Sequence, residues 1–242
     1  MKLDLIAFGV HPDDVELSCA GLLLVEKKNG KKTGIIDLTR GELGTRGTAE
    51  TRTKESAAAA KILGVDIRDN LDMADGFSIN DEAHQRKIIT ALRKYQPEII
   101  VCNAVFDRHP DHGKSAKMVE DAAFLSGLSK IETFIDGKPQ EAWRPKYVFH
   151  YVQDRFMQPN FVVDITDVFD QKLEAIKAYV SQFHNDDSDE PQTYISTPEF
   201  FDSVIYRHKW FGKMIGVKYA EGFVSNKMIG VRNLDSLIQK DT

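Results

Sequence analysis

The feature that most constrains the fold is an alternation of short, unbroken apolar runs with longer segments of helical spacing. Leu3 to Val10, Thr33 to Thr39, Ile67 to Leu71 and Glu98 to Ala104 read as strands. Between them, residues 15–28 place Leu17, Leu22, Leu23 and Val25 at helical spacing, and residues 49–63 are rich in Ala, Glu and Lys and stop at Gly64. Residues 81–95 carry Ile88, Ile89 and Leu92 on one face before Pro97, and residues 112–127 are helical again. Strands without polar alternation are buried on both faces, and helices between them return the chain in one direction. The expectation is an α/β fold with a mostly parallel, doubly wound sheet and helices on both faces.

The second half is less regular. Lys146 to Val152 and Phe161 to Ile165 read as further strands, and Phe169 to Tyr179 and Pro198 to Phe211 as helices. Between these helices, His184 to Thr197 is acidic, polar and Pro-containing, a surface loop and a candidate lid. There is no repeat, low-complexity tract or linker, so residues 1–242 are expected to form a single domain, a common size for one core.

Charge and composition exclude several function classes. The net charge is −5 with both signs dispersed, and no Lys/Arg block offers a groove for a phosphate backbone, which argues against nucleic acid. The N-terminal apolar run covers only residues 5–10 and is flanked by Asp4, Asp13 and Asp14, too short and too charged for a signal sequence. No run approaches the about 18 apolar residues that span a bilayer. Cys19 and Cys102 lie far apart in apolar surroundings, which suits buried thiols in a reducing cytoplasm.

In open parallel sheets, ligands bind beyond the carboxyl ends of the strands. His11, Asp13 and Asp14 follow the first strand; Arg40, Glu42 and Arg46 the second; Asp72 and Asp75 the third; and Asp107, Arg108, His109, Asp111 and His112 the fourth. Polar loops are ordinary, but three of only seven histidines fall at two of these strand ends. In HPDD, His11 and Asp14 are three apart on a turn entering a helix, so both side chains reach one point, and Pro12 stiffens the approach. The bland alternative is an aspartate that merely caps the helix. Asp13 then points elsewhere, beside an ion without binding it, which suits a base that takes a proton from water. RHPDH repeats the spacing: His109 or His112 can complete a two-His, one-Asp site with an open position for water. The other histidine is left near a reacting carbonyl, and Asp111 is close enough to hydrogen-bond one imidazole.

HPDD after the first strand, the glycines at 41, 44 and 47, the Arg of the next helix and HPDH after the fourth strand together resemble the LmbE-like, or PIG-L, N-acetylglucosaminyl deacetylases. The likeness extends to PNFVVDIT (159–166), AYVSQF (178–183) and KMIGVKYAEGF (213–223), which look similar to the deacetylase of N-acetylglucosaminyl malate in bacillithiol biosynthesis. The resemblance implies a Rossmann-like sheet and a zinc ion held by His11, Asp14 and His112, although iron(II) can share such ligands. It implies Asp13 as general base, and His109 as a cationic oxyanion stabiliser oriented by Asp111. Arg52 and Asp75 are implied in binding the sugar conjugate; Arg108 and Arg144 suit the malate carboxylates, because guanidinium pairs bidentately with carboxylate. A cytoplasmic homo-oligomer acting on a small sugar conjugate is the expected whole. The chain departs from relatives in reading ELSCAGLLL after HPDD, and in having Phe200 where some place a mobile tyrosine, with Tyr194 in the acidic loop.

Three other chemistries compete. A phosphoesterase usually holds two metals through more bridging carboxylates. A nucleotide-binding module requires G-x-G-x-x-G after the first strand, where HPDD stands instead. An iron(II) oxygenase also uses two His and one carboxylate, but none of the three accounts for Asp13 and His109 as amide hydrolysis does.

Overall fold

A computed structural model describes residues 1–183 and 189–237. Strands β1 (Leu5–Gly9), β2 (Thr33–Thr39), β3 (Ile67–Met73), β4 (Ile99–Cys102), β5 (Tyr147–Tyr151), β6 (Phe161–Asp164) and β7 (Ala220–Ser225) form one sheet in the order β3-β2-β1-β4-β5-β7-β6. The first five are parallel, with Leu5 registered between Thr33 and Ile99; β7 runs antiparallel to both β5 and β6. The doubly wound α/β expectation holds. The chain order reverses between β1 and β4, and that switch point opens a crevice at their carboxyl ends.

Helices α1 (Asp14–Ser18), α2 (Ala20–Lys28), α3 (Ala49–Leu63), α4 (Glu82–Tyr95), α5 (Pro110–Leu125), α6 (Phe169–Lys177) and α7 (Pro198–Ile215) cover the sheet. Alternate strand residues enter two cores. Leu5, Ala7, Ile35 and Val101 pack under α2, α3, α6 and α7, whereas Ile6, Phe8, Ile36, Leu38 and Ile100 pack under α4 and α5. Burial on both faces is why the strands carry no polar alternation. No described helix is long and apolar enough to cross a membrane.

Local chemistry sets the ends that matter for the site. The Thr48 hydroxyl accepts the Thr51 N–H to start α3, and Gly64 ends it at φ 64°. Pro110 occupies the first turn of α5, where a missing N–H costs nothing, and the His109 side chain caps it. The span 15–28 is two helices rather than one, broken at Cys19 (φ −143°). Strand β7 has no counterpart among the strands expected from sequence: YAEGFV has little apolar alternation, and its place is set by pairing with β5 and β6. Glu221 on β7 instead accepts the Gly21 and Leu22 N–H groups at the start of α2 and the Lys172 ammonium, all inside the protein. Cys19 and Cys102 are buried and unbridged, as expected. Of the acidic loop expected at His184 to Thr197, residues 184–188 lie outside the described residues.

Candidate active site

The crevice between the ends of β1 and β4 is a cavity of about 310 Å³. Its floor comes from the two His-Pro-Asp turns. His11, His109 and His112 place a ring nitrogen each within 4.8 Å of one another. Asp14 reaches two of them: Oδ1 lies 3.2 Å from His112 Nε2, and Oδ2 lies 3.7 Å from His11 Nδ1.

The outward nitrogens separate the three imidazoles. His11 Nε2 meets Asp75 Oδ1 at 2.9 Å, and His112 Nδ1 meets Asp107 Oδ2 at 2.6 Å. A histidine that binds a metal normally donates its other N–H to a carboxylate, and these two are so backed. The third is not: His109 Nδ1 accepts the Asp111 backbone N–H at 3.3 Å. Both oxygens of Asp14 are also gripped. Asn103 Nδ2 donates to Oδ2 at 2.9 Å, and Gln153 Nε2 donates to Oδ1 at 3.1 Å. The two amides fix each other, because Gln153 Oε1 accepts from Asn103 Nδ2 and from the Ala104 N–H, while Asn103 Oδ1 accepts the Val10 N–H.

The electrostatics follow from this packing. Burial alone pulls His11 down, but its hydrogen bonds to Asp14 and Asp75 and their charges outweigh it, and the imidazole is pushed up to about 10. His112 is raised to about 9, with burial again opposed by Asp14 and Asp107. Burial would raise Asp14, yet the neighbouring imidazoles hold it well below the usual carboxylate range; Asp75 falls to about 2 for the same reason. Without a metal the cluster therefore keeps two protons on its imidazoles. An excess of carboxylates around two neutralisable imidazoles, with Asp14 facing both, is a donor set that fits a divalent cation.

Asp13 is buried and turned away from this cluster at φ 124°, a strained conformation for an L-residue that costs of order 1–3 kcal/mol and is typical of functional positions. Its Oδ2 accepts from Arg52 Nη2 at 2.9 Å, and the same nitrogen donates to the Pro12 carbonyl. Burial raises the Asp13 carboxyl and the Arg52 charge draws it back, leaving it at about 7. The Arg52 guanidinium passes Gly41 so closely that a Cβ there would stand 2.1 Å from Nη1, which explains the glycine (φ +66°). Arg52, expected to bind the sugar conjugate, lines the cavity, and its guanidinium is paired with Asp13.

The rim is built by Arg108, Asp154 and Tyr194. The Tyr194 hydroxyl donates to Asp154 Oδ1 at 3.0 Å, and Arg108 lies 4.4 Å over the Tyr194 ring with Nε 3.6 Å from Asp154 Oδ2. Phe200 is buried behind Tyr194. Arg46 and Arg207 also line the cavity. Two expectations need correcting. Arg144 is not at the cavity: its Nε donates to the Phe124 carbonyl and its guanidinium covers the Phe124 ring, at the opposite end of α5 from His109. Asp111 does not hold His109 through its carboxylate, since neither of its oxygens has a hydrogen-bond partner and only its backbone N–H meets that ring. Sequence reasoning assigns no role to Asp107, Asn103, Gln153 or Arg207. Asp107 stands among the polar residues after β4; Asn103, a polar residue ending an apolar strand, is the available signal for the amide pair.

A cation-ready cluster at the switch point of a parallel sheet, beside a buried carboxylate near neutral pKa, defines the candidate centre of a metal-dependent α/β hydrolase. The PIG-L family model, GlcNAc-PI de-N-acetylase, matches residues 6–123, which carry both His-Pro-Asp turns. The crystal structure of the conserved protein TT1542 from Thermus thermophilus superposes with a TM-score of 0.84 at 36% identity, over 95% of this chain and 98% of that one. Diacetylchitobiose deacetylase from Thermococcus kodakarensis is 28% identical over 88% of this chain and 79% of its own length. The 4-oxalmesaconate hydratase of Pseudomonas putida is 26% identical over 74% of both chains. The protein is thus an enzyme, similar to deacetylases that act on amides.

Proposed function

We propose that this enzyme removes the acetyl group from an N-acetylglucosamine conjugate whose other part carries carboxylates, N-acetylglucosaminyl malate of bacillithiol biosynthesis being the candidate. The observation that carries the reading is the division of labour at the floor. His11 and His112 each turn one nitrogen to a backing carboxylate and present Asp14 with the other, while Asp13 stands aside on Arg52.

His11, Asp14 and His112 would hold the ion, zinc being the expected metal. When bound, a divalent ion there supplies Lewis-acid polarisation of the amide carbonyl and a water of lowered pKa. Asp13 accepts the proton of the attacking water at a carboxyl oxygen; with a pKa of about 7 it is substantially ionised at neutral pH and still able to pass a proton on. His109, with Nδ1 accepting the Asp111 N–H, carries its proton on Nε2. Burial and the neighbouring imidazoles hold it below the usual histidine value, so it offers a neutral N–H to the developing oxyanion rather than the imidazolium expected from sequence. Asp75, by holding His11, acts on the substrate only indirectly. With Arg144 on the far side, binding of the substrate's carboxylates falls to Arg108 at the mouth.

Diacetylchitobiose deacetylase argues for a neutral N-acetyl sugar as the second reading. Incubating the purified enzyme with N-acetylglucosaminyl malate, N,N'-diacetylchitobiose and N-acetylglucosamine, and following free amine, decides between them. A preference for the malate conjugate that Arg108→Ala removes supports the proposal. Equal rates on all three reject the carboxylate-bearing substrate, and no amine from any rejects deacetylation. Asp13→Ala should lower kcat by about 10²–10⁴-fold while the protein keeps its metal content; unchanged turnover would remove Asp13 from the mechanism.

A further inference from the structure

Asp111 is the anomaly of the site. It is fully buried at the first turn of α5, and neither carboxylate oxygen has a hydrogen-bond partner. The exposed Lys114 ammonium stands 3.7 Å from Oδ1, beyond hydrogen-bond distance. A buried carboxylate left this way is costly, and native proteins rarely leave one. The carboxylate faces company: one oxygen of Asp111, one oxygen of Asp75 and a ring nitrogen of His11 lie within 4.8 Å of one another. His11 Nε2 is the nitrogen turned to Asp75, the opposite side of the ring from Asp14.

Charge points the same way. Asp14, Asp75, Asp107 and Asp111 crowd around the cluster, while Arg52 is paired with Asp13 and Arg207 lines the same cavity. Among the described residues, Asp75 and Asp111 have no cationic side chain within hydrogen-bond distance other than His11.

We propose that Asp75, Asp111 and His11 Nε2 form a second, weaker divalent-cation site beside the one at Asp14, the His11 ring bridging the two ions as an imidazolate whose Nε2 proton is released to solvent. Two carboxylate oxygens suit a hard ion such as manganese and the ring nitrogen suits zinc, so the set accepts either divalent ion. The His11 ring separates the two positions, so they are wider apart than the about 3.5–4 Å of two-metal hydrolases, and no single water serves both. The site is therefore distinct from a phosphoesterase centre. Occupation takes Asp75 off His11, which couples the second ion to the first. The inference rests on the proposed function only in that the first ion belongs at Asp14.

The test is a titration of metal-stripped full-length protein with MnCl2, with bound and free Mn²⁺ counted by electron paramagnetic resonance. The expected result is two Mn²⁺ per chain, the second weaker and broadening the signal of the first. In Asp111→Asn, nearly isosteric, the second affinity should fall by at least about tenfold while the first stays within about twofold. One Mn²⁺ per wild-type chain at millimolar metal overturns the second site and leaves the proposed function standing. Two Mn²⁺ with unchanged affinities in Asp111→Asn also overturns it. No Mn²⁺ at all overturns both readings. The wild-type count decides even if the variant does not fold.

Discussion

At the scale of single residues, the active-site chemistry is a set of matched pairs. Asp13 is tuned between burial and Arg52, so removing the guanidinium should move its titration upward. With a bound ion replacing the two imidazole protons, the local positive charge is much the same. The base must be ionised, so kcat/KM should rise with pH through about 7 and fall below it. In Arg52→Gln that acidic limb should shift to higher pH, and a pH–rate profile of the two proteins checks it; an unmoved limb would mean that another group titrates. The protons on His11 and His112 make a second prediction. With values of about 10 and about 9, both are protonated in the metal-free site at pH 7, and both must leave when the ion binds. Metal uptake should release close to two protons, and apparent affinity should climb up to about a hundredfold per pH unit below pH 9. Titrations in weakly buffered solution with a pH indicator measure the release directly.

At the scale of elements, the ends of strands carry the function while their middles carry the fold. HPDD is held by what β4 and β5 bring beside it: Asn103 and Gln153 lock the two oxygens of Asp14 from neighbouring strand ends. Asn103→Leu keeps the size of the side chain but leaves the Val10 N–H without its partner and takes one donor from Asp14 Oδ2, which keeps the His11 N–H. It should weaken metal affinity by about 10–100-fold, measured by competition with a chelating dye. The strands and most helices were legible from sequence because periodicity and stop signals are local: Gly64 after α3 and Pro97 after α4 act within one turn. The break at Cys19 and the strand β7 were not, since the first is a local bend inside an apolar stretch and the second depends on partners far along the chain.

At the scale of the whole molecule, one buried ion pair joins three distant segments. Glu221 of β7 binds Lys172 of α6 and caps α2, with both side chains fully buried. Breaking it by Glu221→Leu strands a buried ammonium and two N–H groups, and should cost about 3–5 kcal/mol in urea denaturation. Adding Lys172→Met should recover much of that loss, because an apolar pair of similar volume is often neutral.

The sequence by itself determined the doubly wound sheet, the crevice at its switch point and the two His-Pro-Asp turns, because hydrophobic period and residue spacing act over a few positions. Only the tertiary structure decided which imidazole is backed by which carboxylate. Asp75 and Asp107 reach their histidines across 64 and 5 residues, and Asn103 reaches Asp14 across 89. It moved Arg144 to the far end of α5, tied Arg52 to Asp13 and left the Asp111 carboxylate without a hydrogen bond. Spacing along a chain says which side chains can reach a point; the direction each one takes depends on the charges and donors that other segments bring there.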